Sequence, residues 1–244
     1  MHAKNEVFYC FKSFHKMIIT QFGAKIKILR TDNGTEYMEK TFHSYLDNHG
    51  ITHQTSCVYT AAQNGVSERK NRHLLEVTRA LMFAMNVPKV YWGDAVLTAT
   101  YLINRMPLQT LDFRCPIKCI RGSRTYNIPL KVFGCVCFVH KYVGGKLDPR
   151  ALKCVFVGYS TTQKGYNCYH PPTRKFCVSM DVTFREEEVY FSQSSSLQGE
   201  NGHIHLFLSY LYLVVRGSMG MEIVIKVIVE IKFNLLKEHK LKQK

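Results

Sequence analysis

Residues 25–37 read KIKILRTDNGTEY, and the elements on either side of this stretch are best interpreted from it. The pattern of residues 25–31 predicts a short β-strand with Ile26 and Ile28 on one face. Asp32 stands at the end of that strand, and the Asn-Gly dipeptide after it favours a tight turn. Taken alone, an Asp in this position is also explained as an ordinary turn residue.

Helices and a second strand are predicted around this stretch. Residues 6–22 place apolar side chains at steps of mostly three and four residues, which is the pattern of a helix with one buried face. Residues 39–49 show the same pattern, and residues 51–56 are predicted to form another short strand. Helix and strand therefore alternate over the first quarter of the chain.

Residues 66–86 are predicted to form a long helix with one polar face. At 100° per residue, one side of this helix gathers the apolar residues Leu74, Val77, Leu81 and Ala84. Glu68, Arg72 and Arg79 fall on the opposite side, within about 40° of one another. A further helix is predicted over residues 91–105.

The sequence changes character after residue 127. Short runs rich in Val, Phe, Tyr and Cys alternate with Gly and Pro turns, which indicates an all-β module of about 60 residues. The runs are 132–140, 154–159, 166–170 and 176–184. They contain five of the nine cysteines, which as reduced thiols would act as small hydrophobic side chains: Cys135, Cys137, Cys154, Cys168 and Cys177.

Composition restricts the classes of function. The 33 Lys and Arg against 18 Asp and Glu give a net charge of +15, which favours a polyanion as partner, although a solvated basic surface is the alternative. No Cys-x-x-Cys motif is present, so we expect a reduced intracellular protein without structural zinc. The apolar stretches at 204–215 and 221–231 are too short or too charged to cross a bilayer, so no membrane partner is expected.

The two acids stand in a recognisable context. Asp32 and Glu68 are separated by 35 residues, 33 to 67. The stretches that matter are RTDNGTEY (30–37), NGVSERKNRHLLE (64–76), LKVFGCVCFVH (130–140), KLDPRALKCVFVGY (146–159) and KGYNCYHPPTRKF (164–176). In order and spacing they resemble the integrase region of Ty1/copia-type retrotransposon Pol polyproteins, from about residue 7 to about residue 192.

This resemblance implies an α/β fold, a partial RNase H-like integrase core, followed by a small all-β SH3-like barrel. The implied domain limits are a partial catalytic core at 1–110, a linker at 111–127, the SH3-like domain at 128–191 and an unrelated or disordered tail at 192–244.

The resemblance to this family also implies DNA integration by metal-dependent strand transfer, with Asp32 and Glu68 as catalytic ligands of Mg²⁺ or Mn²⁺. The first acid of the family's triad lies on an earlier strand that residues 1–31 do not accommodate, so this copy is expected to be truncated at its N-terminus and inactive. The missing strands are expected to leave one edge of the strand at residues 25–31 unpaired. The alternatives are a non-catalytic nucleic-acid-binding remnant and a relic that does not fold.

DNA contacts are expected beside Glu68. Asn64 and Gly65 correspond to a mobile loop that approaches a phosphate, and the neighbouring bases would hold phosphates: Arg69, Lys70, Arg72 and Arg79. For Arg69 and Lys70, a solvated helix face is an equally good interpretation. Glu36 and His53 are interpreted as ordinary surface residues. The implied partners are the element's DNA ends, target DNA and further copies of the chain, and the implied location is the nucleus.

Overall fold

The structure is a computed structural model. The described residues are 6–31, 33–57, 65–121, 128–141, 149–191, 211–216 and 222–227. The chain divides into two compact units. The first consists of residues 1–72, 119–121 and 205–244, and the second of residues 73–118 and 122–204.

The first unit is an α/β layer. Its elements in chain order are α1 (Glu6–Phe22), β1 (Ile26–Thr31), α2 (Lys40–Asn48) and β2 (Thr52–Thr55), followed by the start of α3 (Gly65–Ala84). Each of these elements was predicted from sequence periodicity, with limits that differ by at most two residues. The apolar spacing of the sequence therefore directs the local structure of this unit.

Strand β1 lies inside a four-stranded sheet with the order β2-β1-β8-β9. It pairs in parallel with β2 and antiparallel with β8 (Leu211–Arg216), which in turn pairs with β9 (Glu222–Val227). The expectation of an unpaired edge on β1 is therefore wrong. Backbone N–H and C=O groups of an open edge accept any suitable strand, and the sequence LYLVVR of β8 is rich in residues that favour strands.

The core of the first unit is aromatic and is centred on Phe42. The ring of Phe42 lies 5.2 Å from that of Phe11 and 5.8 Å from that of Tyr37, measured between centroids. Leu29 of β1 is fully buried in the same cluster, whereas Ile28 is only half-buried. The strand changes phase at an irregularity between Ile26 and Ile28 in its pairing with β8.

The second unit contains a five-stranded antiparallel sheet. Its strands are β3 (Cys135–His140), β4 (Ala151–Tyr159), β5 (Tyr166–His170), β6 (Lys175–Ser179) and β7 (Val182–Val189), in the order β6-β5-β4-β3-β7. The predicted run 176–184 is divided between two strands. The Asp181 N–H donates to the Ser179 hydroxyl over 3.0 Å at the break, which turns the chain between β6 and β7.

Helix α4 (Trp92–Ile103) packs against β4 within this unit. Gly158 of β4 has φ +131°, and a Cβ placed there would lie 2.6 Å from Thr98 Oγ1 of the helix. Only glycine therefore allows the helix to approach the strand so closely. The ring of Tyr101 on α4 stacks on that of Tyr159, with centroids 3.9 Å apart, and extends the contact.

Helix α5 (Pro116–Arg121) completes the described helices, of which none is long and apolar enough to cross a membrane.

We expect Phe42→Ala to lower the free energy of unfolding by about 3–5 kcal/mol, because it removes a fully buried ring and leaves a cavity. Denaturant unfolding followed by circular dichroism measures this change. Phe83→Ala is the matched control, since Phe83 on α3 is 68% exposed and its loss should cost at most about 0.5 kcal/mol. Equal losses in the two variants would contradict the assignment of Phe42 to the core.

Candidate functional site

The carboxyl ends of β1 and β2 meet at one edge of the sheet, because the two strands are parallel. Asp32 follows β1 at this edge and lies outside the described residues. Its two neighbours are both bound to Ser56, the residue that follows β2. The Ser56 N–H donates to the Thr31 carbonyl over 3.2 Å, and the Asn33 side-chain amide donates to the Ser56 carbonyl over 2.9 Å. The chain on either side of Asp32 is thereby fixed to β2.

His53 of β2 contacts the same strand end. One ring nitrogen, Nε2, lies 2.8 Å from the hydroxyl of Thr31 in a hydrogen bond. The ring is half-buried, and its centroid lies 5.0 Å from that of His43. Burial lowers the pKa of His53, and the nearby His43 lowers it further. The interpretation of His53 as an ordinary surface residue is therefore wrong. The register between β1 and β2 brings His53 to Thr31, and no local pattern in the sequence indicates that register.

The start of α3 carries the second acid. Glu68 lies in the first turn of the helix with an exposed side chain. A carboxylate is favourable there, because the free N–H groups of a helix N-terminus create a positive potential. Gly65 is the first helical residue, and Asn64 before it lies outside the described residues.

The predicted phosphate-binding bases follow Glu68 along this helix. The side chains of Arg69 and Arg72 are exposed, and that of Lys70 is half-buried. The guanidinium of Arg69 turns back towards the helix N-terminus, where its Nη1 lies 3.6 Å from the position that a Cβ on Gly65 would take. Arg79 is also exposed, farther along α3 in the part that belongs to the second unit.

The structure brings together no complete set of metal ligands among its described residues. Within them, no group of three or more His, Cys, Asp or Glu side chains is arranged to hold a metal ion. The backbone of Glu36 lies in the short 3₁₀ turn Thr35–Tyr37, and its side chain is outside the described part. Of the two predicted catalytic acids, the structure describes Glu68, which is exposed in the first turn of α3.

Comparison with known proteins connects both units to one family. Residues 135–198 match the family model of the retroviral polymerase SH3-like domain. The chain is also 39% identical over 211 residues, 86% of its length, to the retrovirus-related Pol polyprotein from transposon TNT 1-94 of Nicotiana tabacum. The chain is homologous to the retrovirus-related Pol polyproteins of plant transposons.

Other relatives agree with this assignment. Identity to the Pol polyprotein from transposon RE2 of Arabidopsis thaliana is 38% over 197 residues, or 80% of the chain. The chain spans 16% of the length of the tobacco relative and 13% of that from Arabidopsis. A chain from the cryo-EM structure of the simian T-cell lymphotropic virus intasome in complex with PP2A regulatory subunit B56 gamma gives a TM-score of 0.39. This match has 18% identity and covers 75% of this chain and 65% of that one.

These findings confirm the family and the fold class. An α/β core precedes a small SH3-like β domain, as predicted, and the resemblance to the Pol polyprotein of a retrotransposon is correct. The domain limits given by the sequence stay a prediction, and so do the individual site residues.

We expect the free energy of unfolding to decrease as the pH falls below about 6.5. The unfolded chain has ordinary histidines with pKa near 6.5, whereas burial lowers the pKa of His53 and of His15 in the folded protein. Stability is therefore fully present above pH 6.5 and is lost as the unfolded state takes up protons more readily below it. Urea unfolding at a series of pH values between 7.5 and 5 measures the slope.

His53→Gln should reduce this pH dependence, because glutamine keeps a polar group near the Thr31 hydroxyl and does not titrate. His73→Gln is the control, since His73 is an exposed histidine on α3. An unchanged slope in His53→Gln would show that His53 is not one of the groups responsible.

Proposed function

We propose that this chain is an integrase-type DNA-binding segment whose acids Asp32 and Glu68 bind Mg²⁺ or Mn²⁺. The observation that carries the proposal is the position of these acids. One directly follows a strand end whose flanking residues are bound to Ser56, and the other is exposed in the first turn of α3. The homology to transposon Pol polyproteins supports it.

The donor chemistry suits a hard divalent cation. Carboxylate oxygens are the protein ligands that Mg²⁺ and Mn²⁺ prefer, and Mg²⁺ usually keeps several waters beside one or two carboxylates and a substrate phosphate. When bound, such ions would activate an attacking oxygen and stabilise a leaving oxygen at phosphorus. The role of this chain would be to present Asp32 from a fixed strand end and Glu68 from a helix.

The basic side chains of α3 would hold the DNA backbone. Arg69 and Arg72 are exposed within one turn of Glu68, and Lys70 lies between them. Arg69 is directed towards the helix N-terminus, where free N–H groups also favour a phosphate. Asn64 and Gly65 would allow the backbone to approach the DNA closely, and Arg79 would contact a more distant phosphate. The net charge of +15 would hold the duplex by long-range attraction.

We further propose that this chain does not carry out strand transfer by itself. The strand beside β1, on the side away from β2, is β8, and its sequence LYLVVR includes no carboxylate. The nearest acid in the described part of this sheet is Glu222 of β9, which pairs with Arg216 of β8. The neighbour of Arg216 in β8, Val215, pairs with Ile26 at the start of β1. That end of β1 is five residue steps from Thr31, or about 16 Å away. A third carboxylate beside Asp32 is therefore not provided by β8 or by Glu222.

The alternative is a nucleic-acid-binding protein without any metal chemistry. The exposed bases of α3 favour this function, since they would hold phosphates whether or not Asp32 and Glu68 bind a cation. In both cases the proposed partner is DNA, the proposed location is the nucleus, and further copies of the chain are proposed as partners in assembly.

The metal site is tested by calorimetric titration of the full chain with MnCl₂ and MgCl₂. We expect millimolar or tighter binding that is lost in Asp32→Asn and in Glu68→Gln, because each removes one of two anionic ligands. Glu76→Gln is the control, since Glu76 is another exposed acid on the same helix. Binding that survives in both site variants would refute the assignment, and a folded chain that binds neither metal would favour the alternative function.

DNA binding is tested by fluorescence anisotropy with a labelled duplex at salt concentrations from 50 to 300 mM. Loss of a phosphate contact in Arg72→Ala should weaken binding and reduce the slope of log K against log salt by about 1. Lys12→Ala removes an exposed base from α1 and should leave the slope unchanged. An affinity that does not depend on salt would contradict the nucleic-acid proposal altogether.

A further inference from the structure

Strands β8 and β9 form an antiparallel pair, the β8–β9 hairpin, at one side of the sheet in the first unit. Strand β8 pairs with β1, and β9 is the outer strand. Both strands lie within residues 205–244, which belong to the first unit, whereas the residues that precede them in the chain, 122–204, belong to the second. The hairpin is therefore joined to one unit by the chain and to the other by strand pairing.

A single ladder connects this hairpin to β1. Its residue pairs are Ile26 with Val215, Ile28 with Val214, Leu29 with Leu213 and Arg30 with Tyr212. The register shifts between Ile26 and Ile28, so the ladder is both short and irregular. Segments that are held by few regular pairs open locally at a lower free energy than the core of a domain. We therefore expect this ladder to open without unfolding of the whole unit.

The described core of the first unit is built without the hairpin. Among the side chains that the structure describes, those packed around Phe42 all come from residues 7–51. Opening of the ladder between β1 and β8 would leave this cluster assembled. The opened chain would then present two complementary edges, that of β1 on the first unit and that of β8 on the hairpin, and unpaired strand edges readily accept another strand.

We propose that two copies of this chain exchange their β8–β9 hairpins, so that β8 of each copy pairs with β1 of the other. The interaction surface is the edge of β1 that faces away from β2, and the partner is a second copy of the chain. This contact would serve the assembly with further copies that is proposed above. It rests on strand pairing alone and does not depend on the metal or DNA site.

Exchange restores in two chains the same residue pairs that one chain makes with itself. Each copy gives one hairpin and receives one, so the contact has two-fold symmetry and leaves neither β1 edge open. The principal cost of exchange is the translational and rotational freedom that two chains lose when they associate. Because mass action offsets this cost, the exchanged dimer should increase with protein concentration.

The length of the connection permits this exchange. Residues 192–210 lie between the described end of the second unit and the start of β8, which is 19 residues. A chain of that length can reach at most about 65 Å, roughly twice the diameter of a small domain. The hairpin can therefore arrive at the β1 edge of a second copy while it remains attached to its own second unit.

The sequences of the two strands suit them to pair with a β1 edge in either chain. Strand β8 reads LYLVVR and β9 reads EIVIKV, and both are rich in the β-branched and aromatic residues that favour strands. An extended apolar segment of this kind is the occupant that the structure places beside β1. A second copy supplies the identical segment with the identical register, which no unrelated partner would match.

The first experiment identifies which chain supplies β8. Arg30→Cys and Tyr212→Cys are introduced into separate full-length chains, which are unfolded in urea, mixed, refolded together and oxidised. Opposite residues on antiparallel strands have Cα atoms about 4.5–5.5 Å apart, within the range of a disulfide. Exchange should give a disulfide-linked dimer in which peptides containing positions 30 and 212 are joined between chains, as identified by mass spectrometry without reduction.

Two further variants interpret this result. With both substitutions in one chain, an intrachain link that forms while the mixed chains give none would refute exchange. Absence of any link in both samples would refute the pairing of β1 with β8. Lys226→Cys is the matched control for Tyr212→Cys, because Lys226 pairs with Tyr212 from β9 and lies about 9–10 Å from Arg30 by strand spacing. An equal yield of links from Lys226→Cys would overturn the register on which the proposal depends.

The second experiment measures the molar mass of the full chain by light scattering at concentrations from 5 to 200 µM, without metal or DNA. The wild type should change from the mass of one chain to that of two. Leu213→Pro removes a ladder hydrogen bond from β8, which has a strand on each side, and should stay at the mass of one chain. Val214→Ile keeps a β-branched residue and should behave like the wild type. A proline variant that is folded by circular dichroism and still forms dimers would overturn the exchange, as would a wild type that stays at the mass of one chain.

Discussion

Parallel pairing of β1 with β2 is the constraint on which the candidate site depends. Two parallel neighbours need a crossover, and α2 supplies it by burying Phe42 and Leu46 against the sheet. The crossover brings the carboxyl ends of both strands to the same edge. Ser56 can then bind the residues on each side of Asp32, which is the geometry that the proposed metal site requires.

Helix α3 presents charged side chains to solvent near its N-terminus. The first turn of α3 presents Glu68 to solvent while Leu74, farther along the helix, is fully buried. Arg69 and Arg72 near Glu68 are also exposed, so an acid and two cations share one accessible end of the helix. An anionic polymer bound there would meet both free helix N–H groups and guanidinium groups.

The second unit shows how a small sheet is filled. Small thiols and large rings are both packed into it, and Phe156 contacts Tyr159, Tyr166 and Phe184 at centroid distances of 5.3 to 5.7 Å. Buried thiols act there as small hydrophobic groups, as the sequence predicted. Only where such a thiol reaches an edge strand, at Cys177, does packing leave it partly accessible.

The sequence by itself determined the elements and the family. Periodicity placed α1, α2 and most of α3 because a helix buries one stripe of its own residues, which is a local property. The two spaced acids and the stretches around them indicated the retrotransposon family, which the relatives confirm. Exposure of Glu68, Arg72 and Arg79 also followed from the helix period alone.

Only the tertiary structure decided which strand covers β1, which residue of β1 is buried and where His53 lies. Each depends on a pairing register between segments that are distant in the chain, and a shift of one residue reverses the face of every side chain. Leu29 rather than Ile28 is fully buried for that reason, and β8 reaches β1 from the far end of the sequence. Local patterns carry no information on such pairings, so the sequence could not supply them.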